Sequence, residues 1–225
     1  MLLLAWAVGC HEKETEGSSG ESLNRASEQL LNNRGDSHMK VADTADQINP
    51  IKTGQALPPL TLNTPESKYF DLNKEVSKKP AIIIFYRGGW CPYCNRHFGE
   101  LKSIEPELLK LGYQIIAVSP DRPELLKEFA EKKGIEYRLL SDSEMKAATS
   151  LGIAFRVDED LVKKYKTKHS IDLEGDSGQT HHLLPVPSVF IVTTDNVIRY
   201  SYINPNYKVR ITPDDLLQAA KNAVK

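Results

Sequence analysis

The run Ala81-Ile82-Ile83-Ile84-Phe85-Tyr86 is apolar throughout and stops at Arg87-Gly88-Gly89, immediately ahead of Trp90-Cys91-Pro92-Tyr93-Cys94. An unbroken apolar run of this length, bounded by glycines, is the pattern of a strand covered on both faces. Pro92 suits the first turn of a helix, where its fixed φ matches and its missing N–H leaves nothing unpaired. A doubly covered strand followed at once by a helix confines the chain to α/β architectures with helices flanking a central sheet.

The same segment carries reactive chemistry. A helix start offers unpaired N–H groups and the positive end of the helix dipole, and both favour thiolate over thiol. Lowering a thiol pKa from about 8.5 to about 7 raises the anion at neutral pH from roughly 3% to about half, and only the anion attacks. With two residues between them, Cys91 and Cys94 can resolve each other's mixed disulfide or sulfenic acid, which gives a reversible two-electron couple. Structural zinc would need a second pair of ligands, and no further C-x-x-C or C-x-x-H follows. Haem attachment would need His where Asn95 stands. A purely structural staple remains open, although closing so short a loop removes only about 2 kcal/mol of unfolded-state entropy. No metal and no cofactor is expected.

Beyond the pair, apolar and helical patterns alternate. They predict a helix from Pro92 towards Leu111, a strand over Tyr113 to Val118, a helix over Pro123 to Lys133, a short strand around Tyr137 to Leu140 and a helix over Glu144 to Leu151. Val189 to Val192 and Val197 to Tyr202 flank the turn residues Thr194-Asp195-Asn196, which predicts an antiparallel hairpin, and Thr212 caps a last helix through Ala223. The expected sheet is therefore mixed, and the cysteines lie at the carboxyl edge of a central strand, where open α/β sheets place their sites. Glu159 to Lys168 reads as a helix with a solvated lysine face. His97 reads as a surface residue of the first helix, with tuning of the thiol as the alternative, and Glu174 to Thr180 with His181-His182 as an inserted loop in the position of a lid.

Composition narrows the function. With 40% hydrophobic and 26% charged residues and a net charge of −1, the 225-residue chain can bury a core and has no field to recruit nucleic acid. Three cysteines are too few for a disulfide scaffold. The folded domain is placed at residues 46–225, preceded by a polar tether at residues 10–45 that includes one short amphipathic stretch. Residues 1–9 form an apolar leader too short to span a bilayer. Ala7-Val8-Gly9-Cys10 resembles the lipobox of bacterial lipoprotein signals. That resemblance implies lipidation at Cys10, membrane anchoring and a periplasm-facing place in the cell envelope; the alternative is an ordinary N-terminus, a free Cys10 and a cytoplasmic protein.

Strand, Trp90-Cys91-Pro92-Tyr93-Cys94, helix and a later Val186-Pro187-Ser188 together resemble the thioredoxin fold. More closely, Phe85 to Cys94 and Leu184-Pro185-Val186-Pro187-Ser188 resemble the peroxiredoxin-like branch of the alkyl hydroperoxide reductase/thiol-specific antioxidant (AhpC/TSA) family. The resemblance implies a cis Pro187 opposite the cysteine pair, with an ordinary trans proline as the alternative, and a rim for the incoming partner shaped by Trp90, Pro92, Tyr93 and Val186. In the thioredoxin pattern Cys91 attacks and Cys94 resolves. In the peroxiredoxin pattern Cys94 attacks peroxide and Cys91 occupies the place of a threonine. Arg87 stands where peroxiredoxins carry proline, and Val186 about where they carry a peroxide-polarising arginine; Arg87 is either a compensating charge or a solvated turn residue. The implied function is a thiol-dependent peroxidase recycled by an external dithiol such as a thioredoxin-like protein. The alternatives are a thiol-disulfide oxidoreductase acting on protein disulfides and a redox-inert scaffold.

Overall fold

The computed structural model describes residues 40–223. Cys10 and the leader and tether before residue 40 lie outside the described residues. In chain order the elements are β1 (Thr61–Asn63), β2 (Tyr69–Asp71), α1 (Leu72–Val76), β3 (Ala81–Phe85), α2 (Pro92–Leu101), α3 (Glu105–Lys110), β4 (Gln114–Ser119), α4 (Pro123–Lys133) and β5 (Arg138–Ser141). There follow α5 (Lys146–Ser150), β6 (Ala154–Arg156), α6 (Glu159–His169), α7 (Leu173–Ser177), β7 (Leu183–Pro185), β8 (Ser188–Val192), β9 (Ile198–Ile203) and α8 (Pro213–Ala223).

The main sheet runs β2-β1-β5-β4-β3-β8-β9. β3 pairs parallel with β4 and antiparallel with β8, and β8 and β9 form the expected hairpin, so the sheet is mixed. Every residue of β3 is buried. Ile83 and Phe85 face one core layer, with Val118 and Phe190; Ile82, Ile84 and Tyr86 face the other, with Phe98, Leu101 and Leu216. This period-two division is what an apolar strand at the centre of a covered sheet must show. No helix among the described residues is long and apolar enough to cross a membrane.

Three expectations are corrected. The helix begun at Pro92 ends at Leu101, and a second one starts at Glu105. Pro106 lacks an N–H and its ring would strike the carbonyl one turn earlier, so a continuous helix to Leu111 cannot form. The polar stretch from Glu174 is not all loop: α7 forms because Asp172 accepts the Gly175 N–H and Gly178 takes up the left-handed conformation at its end. The Val186-Pro187 bond is trans, as is every peptide bond among the described residues. The chain passes extended from β7 to β8, held by the Val186 N–H donating to Ile153 O (2.8 Å) and by Ser188 Oγ donating to Val186 O (2.8 Å).

Candidate active site

Cys91 is the N-cap of α2, with extended φ/ψ, and Pro92 occupies the first turn. The loop before it turns at a glycine where any side chain would be strained. Gly88 has φ +142°, and a Cβ there would lie 2.4 Å from Trp90 Nε1 and 2.8 Å from Asp121 Oδ1. Gly89 N–H donates to Asp121 Oδ2 (2.8 Å), Ser119 Oγ donates to the same oxygen (3.0 Å), and Asn95 Nδ2 donates to Gly89 O (3.1 Å). Asp121 is buried at the end of β4, and that burial pushes its carboxyl up to about 6, against the Gly89 and Ser119 hydrogen bonds that favour the anion. Neither this carboxylate nor its tie to the loop was visible in the sequence.

Both sulfurs are buried free thiols. The Cys91 thiol is brought down to about 6, first because the Cys94 S–H donates to it, against the cost of burial, and further by the Cys94 N–H and the charges of Arg87 and Arg210. Cys94 moves the other way, raised by burial and by the Cys91 sulfur next to it. The reduced pair therefore shares one proton, with Cys91 as the resting anion.

Two guanidinium groups serve this anion, and only one was foreseen. Arg87 is not a solvated turn residue: it is 5% exposed, donates from Nη2 to Tyr165 Oη (2.5 Å) and lies against the rings of Tyr207 (4.3 Å), Trp90 (5.0 Å) and Tyr165 (5.7 Å). Aromatic faces let a buried cation persist without a carboxylate partner. Arg210 comes from the loop after β9. Its Nη2 donates to Cys94 Sγ (3.5 Å), while Nη1 donates to the carbonyl of Tyr207 and to that of Val209 (2.9 Å). A second arginine thus reaches the pair from a distant part of the chain.

The remaining site residues divide. Pro187 lines an enclosed cavity together with Cys94, His97, Tyr202 and Arg210. Measured to the centre of a water-sized sphere the cavity is about 10 Å³, the space of about a single water. Val186 is fully buried and is not part of its lining. Trp90 is half-buried against Tyr165, Tyr93 packs edge-on against Tyr207, and Pro92 is exposed at the helix start. His97 is not on the surface: it is 3% exposed, because α2 turns Cys94, His97, Phe98 and Leu101 towards the sheet. α6 and α7 cover the Arg87 and Trp90 side, and His182 bridges Glu159 (3.3 Å) and Glu174 (2.9 Å) between them. Among the described residues no cluster of three or more metal-ligating side chains occurs.

Two adjacent buried sulfurs at the mouth of a central strand, flanked by two arginines, are a site equipped for thiol chemistry. The AhpC/TSA family model matches residues 53–201. The chain belongs to the AhpC/TSA family and is a peroxiredoxin-like enzyme, as its motif implied. A putative peroxiredoxin Bcp of Haemophilus influenzae is 33% identical over 106 residues, covering 47% of this chain and 68% of that one. Peroxiredoxin Bcp of Escherichia coli is 28% identical over 106 residues, covering 47% and 67%. Peroxidoxin BcpB from Mycobacterium tuberculosis superimposes with a TM-score of 0.59 at 18% identity, over 77% of this chain and 97% of that one. Peroxiredoxin 5 from Alvinella pompejana does so with 0.60 at 20%, over 77% and 99%. These two establish the fold alone.

Proposed function

We propose that the protein is a thiol-dependent peroxidase in which Cys94 attacks a small peroxide and Cys91 resolves the product as a disulfide. The observation that carries this reading is the Arg210 guanidinium at the Cys94 sulfur, beside a cavity of about one water's size that a small oxidant can widen. A peroxide placed there has a cation to hold the developing negative charge on the departing oxygen. Cys91, already anionic, then displaces hydroxide from the Cys94 sulfenic acid, and the disulfide returns to the dithiol at the expense of an external dithiol.

The burial of both sulfurs favours a small oxidant over a folded protein's disulfide as the first substrate. A thiol-disulfide oxidoreductase draws one point of support, the acidity of Cys91. Stopped-flow oxidation of the reduced protein by hydrogen peroxide, set beside its reduction of insulin disulfides, separates the two. The peroxidase reading expects fast peroxide consumption and slow insulin reduction; the reverse ranking would replace it with the second reading. The sequence further supports anchoring through a lipid on Cys10, facing the periplasm, and mass spectrometry of Cys10 from the membrane fraction tests that part separately.

A further inference from the structure

Among the polar atoms on the cavity that peroxide reduction, as set out above, leaves unused is a ring nitrogen of His97. His97 follows Cys94 by three residues on α2, so both side chains lie on one helix face, and both line the cavity. Its Nε2 is buried and has no hydrogen-bond partner. Leaving such an atom unpaired costs about 1–3 kcal/mol, and an exception of this kind calls for a reason. The Ile211 backbone carbonyl favours a proton on the ring. With Nε2 unpartnered, that proton sits on Nδ1, and Nε2 presents a lone pair. Burial, with the charge of Arg210, brings the ring down to about 4, so it rests neutral and surrenders a proton readily once it has one. The other polar groups on the cavity are differently placed. Arg210 has no lone pair, Ser188 Oγ is committed to Val186 O, Tyr202 Oη accepts from Asn204 Nδ2, and burial holds the Tyr86 hydroxyl firmly protonated.

We propose that His97 is a proton-transfer residue for peroxide reduction: Nε2 takes the Cys94 thiol proton as the sulfur attacks and hands it to the departing oxygen. At rest that proton is turned towards Cys91, but Cys91 does not line the cavity and His97 does, so the ring is the base on the side of the departing oxygen. This rests on the peroxidase reading of the cysteine pair. In the step the S–H and O–O bonds break and an S–O and an O–H bond form. Cys94 sulfur loses two electrons to become a sulfenic acid, the departing oxygen is reduced to water or an alcohol, and His97 returns to its neutral form. Cys91 stays anionic throughout and is ready to displace hydroxide, which solvent protonates.

The test compares two small oxidants that differ in their need for that proton. Hydrogen peroxide expels hydroxide, a poor leaving group; peracetic acid expels acetate, which leaves unaided. Reduced full-length protein is mixed with each in a stopped-flow instrument and followed by tryptophan fluorescence. His97→Asn is expected to slow hydrogen peroxide by about 100-fold and peracetic acid by less than about tenfold, in line with general acid–base contributions. Equal slowing of both would mark His97 as merely structural, and no slowing would send the proton elsewhere, to Cys91 for instance; either result overturns the proposal. A second measurement needs no variant: the wild type is expected to show a larger solvent deuterium isotope effect with hydrogen peroxide than with peracetic acid, and equal effects would overturn the proposal even if His97→Asn failed to fold. A wild type that neither oxidant oxidises removes the peroxidase reading itself, and this proposal with it. A reactive wild type with a flat His97→Asn comparison removes only the proton-transfer role.

Discussion

Replacing Arg210 by Gln deletes the cation hydrogen-bonded to Cys94 while keeping a polar side chain of similar reach. The guanidinium nitrogen lies 3.5 Å from Cys94 Sγ and its charge favours the anion at both sulfurs. Two unit charges at that distance attract by about 1 kcal/mol in water and about 5 kcal/mol at an effective dielectric near 20. Arg210 is half-buried and its charge is spread over the guanidinium group, so a value towards the lower end, about 2 kcal/mol, applies. For an anion on Cys94 that corresponds to about 1.5 pH units, since about 1.4 kcal/mol is one unit; the first titration belongs to Cys91, where Arg210 acts after Arg87, and should move up by less than this. The sign is fixed: removing a positive charge makes the thiolate harder to form. Ultraviolet absorbance of the thiolate against pH, on reduced wild type and variant, measures the midpoint directly. At neutral pH the peroxide rate should fall by at least tenfold, because both the anion and the departing oxygen lose their cation. Arg210→Lys, which keeps the charge, should recover part of both effects. A midpoint in Arg210→Gln within about 0.3 units of wild type would refute the electrostatic reasoning, since even the attraction in water, about 1 kcal/mol, is about 0.7 units.

Other perturbations test the surroundings of the pair. Tyr165→Phe removes the one hydrogen bond from the Arg87 guanidinium to α6 and should cost about 1.5–3 kcal/mol in urea unfolding, as for a bond to a charged group. Gly88→Ala forces a Cβ onto Trp90 Nε1 and Asp121 Oδ1 at a positive φ and should destabilise the protein by about 2 kcal/mol or more, visible as a lowered melting temperature. Asp121 holds its proton to about pH 6 in the folded protein against 3.8 for an ordinary aspartate. The folded state thus binds more protons between those values, so stability should fall by about 3 kcal/mol as pH rises from about 4 to about 6 and then level off. Asp121→Asn should flatten that slope in urea titrations across the range.

The central strand, the helix start at Pro92 and the β8–β9 hairpin were legible because each follows from local pattern: an unbroken apolar run, a proline suited to a first turn, a turn-rich gap between two strand-like runs. Pro106 was also in plain view, but helical spacing on either side of it concealed the break it forces. His97 had a signal that the reading passed over. Cys94, His97, Phe98 and Leu101 stand at i, i+3, i+4 and i+7, the face of a helix that packs inwards. Arg210 had none of that kind, since it reaches Cys94 across 116 residues of chain, from an irregular loop no periodicity describes. Arg87 looked like a turn residue because the rings that bury it, Tyr165 and Tyr207, come from distant segments. Local geometry reads well from sequence; a site assembled from separated loops does not.

The account depends on Cys94 being the sulfur that meets peroxide and Cys91 the sulfur that closes the disulfide. Reduced Cys91→Ser protein, treated with a stoichiometric amount of hydrogen peroxide and a sulfenic-acid-trapping reagent, places the first oxidation by peptide mass spectrometry. The label is expected on Cys94, with Cys94→Ser protein left essentially unlabelled at Cys91. Rapid labelling of Cys91 in Cys94→Ser, with an inert Cys94 in Cys91→Ser, would contradict the assignment of the cavity, the arginine and the order of events together.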